Sequence, residues 1–346
     1  MQTEETIREA LKSVKYPGYT RDIISFGLVK KVMCNSGAVA VAVELTSHNQ
    51  EVADQLKKDA EGVIKSLEGI DLVHVDVKMP AAASGGAPSA GGGQKKVPGI
   101  NKVIAVASGK GGVGKSTMSV NLACALKHLG HNVGLLDCDI YGPSVPLMMG
   151  KVERPQVSAK EMLIPIEAHG VSLMSMGFIV EGDNPVIWRG PMIQKTIQQF
   201  IYQVDWGQLD YLLVDLPPGT GDAQLSLCQS APIDGGVIVT TPQEASLGVV
   251  RKGVAMFEKV NVPIIGIVEN MSHFTTPSGE RFEIFGNGGG KAEAERKGVP
   301  FLGEVPIYME IREGGDKGTP VVVSDPESAA GSAMLNVARL ALEAMG

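Results

Sequence analysis

The sequence predicts a doubly wound, mainly parallel α/β sheet preceded by a small α+β domain. Three observations carry that expectation. From residue 100 onward, short continuous apolar runs alternate with stretches at helical spacing, as expected for strands buried on both faces by crossover helices. One run, residues 102–107 (KVIAVA), passes through a glycine loop directly into a helical pattern. Residues 80–99 (PAAASGGAPSAGGGQKKVPG) cannot bury apolar surface and part this region from one of different patterning. The expected organisation is therefore an α+β domain over 1–80, a flexible linker over 81–99 and the large α/β domain over 100–346.

At 346 residues, with 44% hydrophobic and 20% charged, the chain has material for a substantial core. A net charge of −7 argues against a general nucleic-acid binder. Four cysteines without a C-x-x-C pair predict reduced thiols rather than a disulfide framework. The first segment, MQTEETIREALKSV, is acidic and lacks an apolar signal core, and no apolar run approaches the roughly 18 residues of a membrane span. A cytoplasmic protein with no membrane partner is expected.

In chain order, Ile7, Leu11 and Val14 predict a first helix. Residues 27–34 and 38–45 read as strands joined at Asn35-Ser36-Gly37, with Val39, Val41, Val43 and Leu45 on one face. Asn49 can cap a helix whose inner face is Val52, Leu56, Ala60, Val63, Ile64 and Leu67, and residues 73–79 alternate as a third strand.

After the strand at 102–107 comes Gly109-Lys110-Gly111-Gly112-Val113-Gly114-Lys115-Ser116-Thr117, which fits G-x-x-x-x-G-K-[ST] at every fixed position. Residues 116–129 continue as a helix stopped by Gly130. This arrangement aims backbone N–H groups and a helix N-terminus at a phosphate chain. The expected ligand is a nucleoside triphosphate with Mg²⁺: Lys115 reaches the β- and γ-phosphates and Ser116 helps hold the metal. Residues 132–136 form the next strand, with Asp137 and Asp139 at its end. Alternation along an extended chain would turn both carboxylates toward the metal and γ-phosphate. Residues 211–214 lead to Asp215, an aspartate closing a buried strand and so placed to reach Mg²⁺ through water. Pro217, Pro218, Gly219 and Gly221 then make a stiff turn suited to sensing the γ-phosphate. Residues 236–240 and 263–268 are further buried strands, the second running into Asn270, with residues 242–247 opening the helix between them. The run Gly286 to Gly290 lacks the lysine and hydroxyl of a phosphate loop and is expected to serve packing. Residues 329–345 form a last helix without a basic face.

The second lysine, Lys110, makes GKGGVGKST similar to the deviant Walker A loop of the MinD/ParA/nitrogenase-iron-protein group. That resemblance implies a homodimer in which Lys110 reaches the partner's nucleotide. It also implies that Asp139 orients the attacking water, Asp137 supports the Mg²⁺ shell and Asn270 hydrogen-bonds the adenine. The ordered set GKGGVGKST, DCDIYGPS, DLPPGTGD, TTPQEASL, GIVENMS, ERFEIFGNGGG and EVPIYMEIREGGDKG resembles the Mrp/ApbC iron–sulfur cluster carrier ATPases almost throughout from residue 100. The front segment, through SFGLVKKV and VAVELTSHNQEVADQLKKD, resembles the MIP18-type domain of iron–sulfur assembly factors. The implied function is a slow ATPase that carries a [4Fe–4S] cluster to apo iron–sulfur client proteins.

One motif departs from that pattern. Where the family usually carries Cys-Pro-x-Cys, this chain reads His273-Phe274-Thr275-Thr276-Pro277-Ser278-Gly279, one residue shorter and without cysteine. Iron in a cluster needs anionic sulfur, which hydroxyls do not replace. Cys138 and Cys228 fall inside ATPase motifs and are expected to be core thiols, and Cys34 a half-buried one. The Fe–S ligands are thus unassigned. Two further readings stay open: an ATP-switched adaptor that binds clients without its own cluster, and a MinD/ParA-like positioning ATPase, which DIYGPS, PPGTGD and the acidic charge disfavour. Residues 170–200, including Gly177-Phe178 and Trp188-Arg189, are expected to offer a dimer or client surface by the same resemblance.

Overall fold

The computed structural model describes residues 3–17, 22–35, 38–45, 50–67, 69–70, 72–78, 96–140, 142–179, 190–219 and 221–346. Ser36–Gly37, Asn49, Trp188–Arg189 and most of the expected linker lie outside them. The chain forms two compact units, residues 1–92 and 93–346.

The first unit contains α1 (Glu4–Leu11), β1 (Val29–Asn35), β2 (Ala38–Glu44), α2 (Gln50–Lys65) and β3 (Leu72–Lys78). Thr3 caps α1 by accepting from Thr6 N at 3.3 Å. β1 and β2 pair antiparallel, whereas β2 and β3 pair parallel, the crossover supplied by α2. Val39, Val41, Val43 and Leu45 are buried as the alternation requires, against Ile7, Leu11, Leu56, Ala60 and Ile64. Val14 and Leu67 pack on this core from beyond the ends of their helices.

The second unit follows in the order β4 (Ile100–Ser108), α3 (Lys115–His128), β5 (Val133–Asp137), α4 (Val145–Met148), β6 (Ile166–Ala168), β7 (Val171–Ser175), α5 (Gly190–Tyr202), β8 (Leu209–Asp215) and α6 (Asp222–Ser230). It continues with β9 (Gly235–Thr240), α7 (Glu244–Lys259), β10 (Ile264–Asn270), β11 (Phe274–Thr275), β12 (Arg281–Phe282), α8 (Gly289–Lys297), β13 (Phe301–Val305), α9 (Met309–Asp316), α10 (Val321–Ser324) and α11 (Ala329–Met345). The sheet runs β13-β10-β9-β4-β8-β5-β7-β6, parallel except for the edge strand β6. Central strands β5 and β9 are buried at every residue, so both faces are covered. On β9 a Cβ at Gly236 would lie 2.7 Å from the Phe257 ring, so glycine there lets α7 approach the sheet. Val97, ahead of β4, is buried in this core. β8 enters between β4 and β5, and β9 lies on the other side of β4. Strand order therefore reverses around β4, and the loops beyond its carboxyl end meet at the switch point.

Candidate functional site

The loop after β4 turns into α3 at Gly114, whose φ is +81°. An added Cβ would be strained there and would also run into the Asn270 amide, so glycine is required by conformation and by space. A cavity of about 210 Å³ opens over the loop, lined by Ser108, Lys110, Gly111, Gly112, Lys115, Ser116, Asp139, Ser144 and Pro218 among others. Thus β4, β5 and β8 bring the expected loop, Asp139 and the turn after Asp215 to one place.

Beneath the loop lies a buried polar cluster. Lys115 Nζ is 2.6 Å from Asp215 Oδ2, with 6% of the lysine side chain and none of the aspartate exposed. Ser116 Oγ donates to the same oxygen at 2.6 Å, and Ser119 Oγ donates to Oδ1 at 2.5 Å. Register places Asp137 beside Asp215 across β5 and β8. Ser175 Oγ donates to Asp137 Oδ2 at 2.8 Å, and Asp139 N donates to Oδ1 at 3.0 Å. Burial, with the Asp215 charge next in size, pushes the Asp137 carboxyl up to about 7. Two buried carboxylates and a hydroxyl are hard oxygen donors, which suit Mg²⁺. The expectation that Asp137 and Asp139 face one region is corrected in part. β5 stops at Asp137, and of the two carboxylates only Asp139 lines the loop cavity.

A second cavity, of about 510 Å³, shares Gly114, Thr117 and Met148 with the first. Its walls are largely apolar, from Met271, Ile284, Phe285, Ile307, Tyr308 and Ile311, with Asn270 at the end next to the loop. A groove large enough for a base thus adjoins a phosphate-sized cavity across Gly114, Thr117 and Met148. Asn270 Nδ2 donates to Val113 O at 2.9 Å, so the side chain expected at the adenine also braces the loop.

Lys110 Nζ donates at 3.1 Å to Gln243 Oε1 of the same chain, at the start of α7. Gln224 Nε2 donates to Pro217 O, tying α6 to the turn after Asp215, while its Oε1 is buried without a partner among the described residues. Gln224, Gln243, Ser119 and Ser175 were not singled out from the sequence. Ser119 was within reach, because it lies on the helix face of Lys115 and Ser116. Ser175 was not, because only the β5–β7 pairing brings it near.

The segment that replaces the cysteine motif forms the β11–β12 hairpin, closed by Thr276 N donating to Glu280 O at 2.9 Å. Thr276 Oγ1 and Ser278 Oγ are hydrogen-bonded to each other at 2.8 Å. No sulfur is present there, and the hairpin does not fit a thiolate-bridged cluster. Cys124, Cys138 and Cys228 are buried, and burial pushes Cys124 and Cys228 up to about 12 and Cys138 well above its ordinary value. These are core thiols with little thiolate character. Cys34 is half-buried on β1. Among the described residues, no group of three or more histidine, cysteine or acidic side chains could hold a metal ion, and no helix is long and apolar enough to cross a membrane.

Residues 99–341 match the family described as the NUBPL iron-transfer P-loop NTPase, and residues 4–77 match the iron–sulfur cluster assembly protein family. An iron–sulfur cluster carrier protein of Synechocystis is 43% identical over 98% of this chain and 97% of its own length. One from Helicobacter pylori is 40% identical over 95% and 89%. A nucleotide-binding protein of Archaeoglobus fulgidus, solved in complex with ADP, superposes with a TM-score of 0.59 at 40% identity, covering 66% of this chain and 90% of its own. The cell-division ATPase MinD of Pyrococcus furiosus, at 23% identity and a TM-score of 0.54 over 70% of this chain and 99% of its own, shares the fold.

Proposed function

The chain belongs to the NUBPL iron-transfer P-loop NTPase family, and we propose that it is an ATP-driven iron–sulfur cluster carrier. It binds and slowly hydrolyses Mg·ATP as a homodimer and delivers clusters to apo iron–sulfur proteins. The observation that carries the ATP half is that the loop cavity, with Lys115 and Asp139, shares Gly114, Thr117 and Met148 with the apolar groove at Asn270. Loop amides and Lys115 hold the phosphates, and the groove takes the base. Asp139 orients a water for in-line attack on the γ-phosphate. Ser116, backed by Asp215 and Asp137, would hold Mg²⁺, which when bound neutralises phosphate charge.

Lys110 completes the charge stabilisation from the partner subunit, leaving Gln243 to do so. A cation that crosses to a bound triphosphate gives the nucleotide a higher affinity for the dimer than for the monomer. Sedimentation with a non-hydrolysable ATP analogue is expected to show a dimer for wild type and mainly monomer for Lys110→Ala. Equal dimerisation by both would make Lys110 a surface charge.

A second reading, an adaptor that engages clients without a cluster of its own, is favoured by the hydroxyl-only hairpin. One experiment tests both. The protein is treated anaerobically with iron and sulfide, its metal is counted, and an apo iron–sulfur protein is added with ATP or the analogue. A carrier acquires iron and sulfide and passes them on when ATP is hydrolysed. An adaptor speeds client maturation with ATP yet holds far less than one cluster per dimer. A client that matures no faster with the protein than without it, whatever the nucleotide, would contradict both readings.

A further inference from the structure

Residues 271–287 run from the end of β10 to the start of α8, carrying the β11–β12 hairpin and then Ile284 and Phe285, two walls of the base groove. One side chain closes both ends of this excursion. Glu269, fully buried on β10, accepts from Gly288 N at 3.2 Å through Oε1 and from Gly290 N at 2.5 Å through Oε2. The next residue on the strand is Asn270, at the loop end of the same groove. The glycine run therefore does more than pack: its amides, at the N-terminus of α8, receive an internal carboxylate. Space there is tight. A Cβ at Gly290 would lie 3.0 Å from both Glu269 Cβ and Oε2, and one at Gly289 would lie 2.6 Å from Pro242 O.

Burial pushes the Glu269 carboxyl up, the N–H groups of Gly290 and Gly288 pull it down, and Glu304 across the β10–β13 ladder pushes it up again. A charge at such a site is tolerated only while its hydrogen bonds are made. Without them, the Ile284–Phe285 wall would hang on a long loop whose ends must be brought together at an entropic cost.

We propose that Glu269 is a positioning residue for the nucleotide base: its carboxylate pins the end of this loop to β10, so that Ile284 and Phe285 line one groove with Asn270. The proposal rests on the ATP-binding reading above. Removing the pin loosens the base wall and leaves the phosphate loop, on the other side of Asn270, intact.

Calorimetric titration of the full chain with Mg·ATP and with magnesium tripolyphosphate tests it, on wild type, Glu269→Gln and Glu269→Ala, with thermal unfolding as a check on folding. Glu269→Ala is expected to weaken ATP binding about tenfold and Glu269→Gln by less, since glutamine keeps one acceptor. Tripolyphosphate affinity should stay the same in all three. Equal losses for the two ligands, or no loss for ATP, would overturn the positioning role. Wild type that binds ATP no more tightly than tripolyphosphate would overturn the base groove itself and the reading beneath the proposal. If the variants do not fold, hydrogen exchange on wild type decides. ATP, but not tripolyphosphate, should slow exchange across residues 283–290, and equal exchange with both ligands would overturn the proposal.

Discussion

Replacing Asp139 with asparagine is expected to lower ATP turnover by about 10²–10⁴-fold, the range for loss of a positioned proton acceptor, with affinity for Mg·ATP nearly unchanged. Asp139 is half-buried at the mouth of the loop cavity, one residue clear of the buried strand end. Its backbone N–H is fixed by Asp137, and its Oδ1 accepts from Gly142 N at 3.3 Å, which restrains the carboxylate. Asparagine keeps the shape and one acceptor oxygen but loses the negative charge that draws on the proton of an attacking water. Such a contact strengthens only as the water begins to lose its proton, so its loss should appear in kcat. Steady-state kinetics and equilibrium binding on one preparation separate the two quantities. A matched fall in affinity and turnover would make Asp139 a structural residue of the Asp137 cluster.

The parts legible from the sequence are those whose chemistry is local. The phosphate loop needs glycines at fixed spacing, a strand before it and a helix after it, all within one stretch of chain. The structure places α3 at Lys115 with Gly114 left-handed, as that spacing requires. The central strands were legible for the same reason, since burial on both faces writes a continuous apolar run. β6, of three residues, and β13 have no comparable signal, and β7 lay in a segment assigned to surface.

What escaped depends on pairing. Glu269 is an acid that follows an apolar run in its strand, and Gly286 to Gly290 is a glycine-rich run without a lysine or hydroxyl for phosphate. Each half was visible, but only the fold puts the carboxylate into the amides. Of the two aspartates around Cys138, Asp137 closes β5 and is fully buried, while Asp139 lies past the strand end and lines the cavity. Lys110 illustrates the limit from the other side. Its charge beside a phosphate loop was evident, whereas its hydrogen bond to Gln243, 133 positions away, is set by where α7 begins.

An ATP-driven carrier requires the Gly109–Thr117 loop to hold a triphosphate, and Lys115 is the residue at which that requirement is most directly tested. The lysine is almost wholly buried and paired with Asp215, so Lys115→Ala acts twice. It removes the cation proposed to meet the β- and γ-phosphates, and among the described residues it leaves the Asp215 carboxylate the hydroxyls of Ser116 and Ser119. Breaking a buried pair typically costs about 3–5 kcal/mol of stability, so a lower unfolding midpoint should accompany the binding defect. Affinity must therefore be read at a temperature where both proteins are folded. Calorimetric titration with Mg·ATP is then expected to show at least a tenfold weaker dissociation constant for Lys115→Ala, about 1.4 kcal/mol or more. An affinity equal to wild type in a folded variant would contradict the loop assignment and the ATP-driven function built on it.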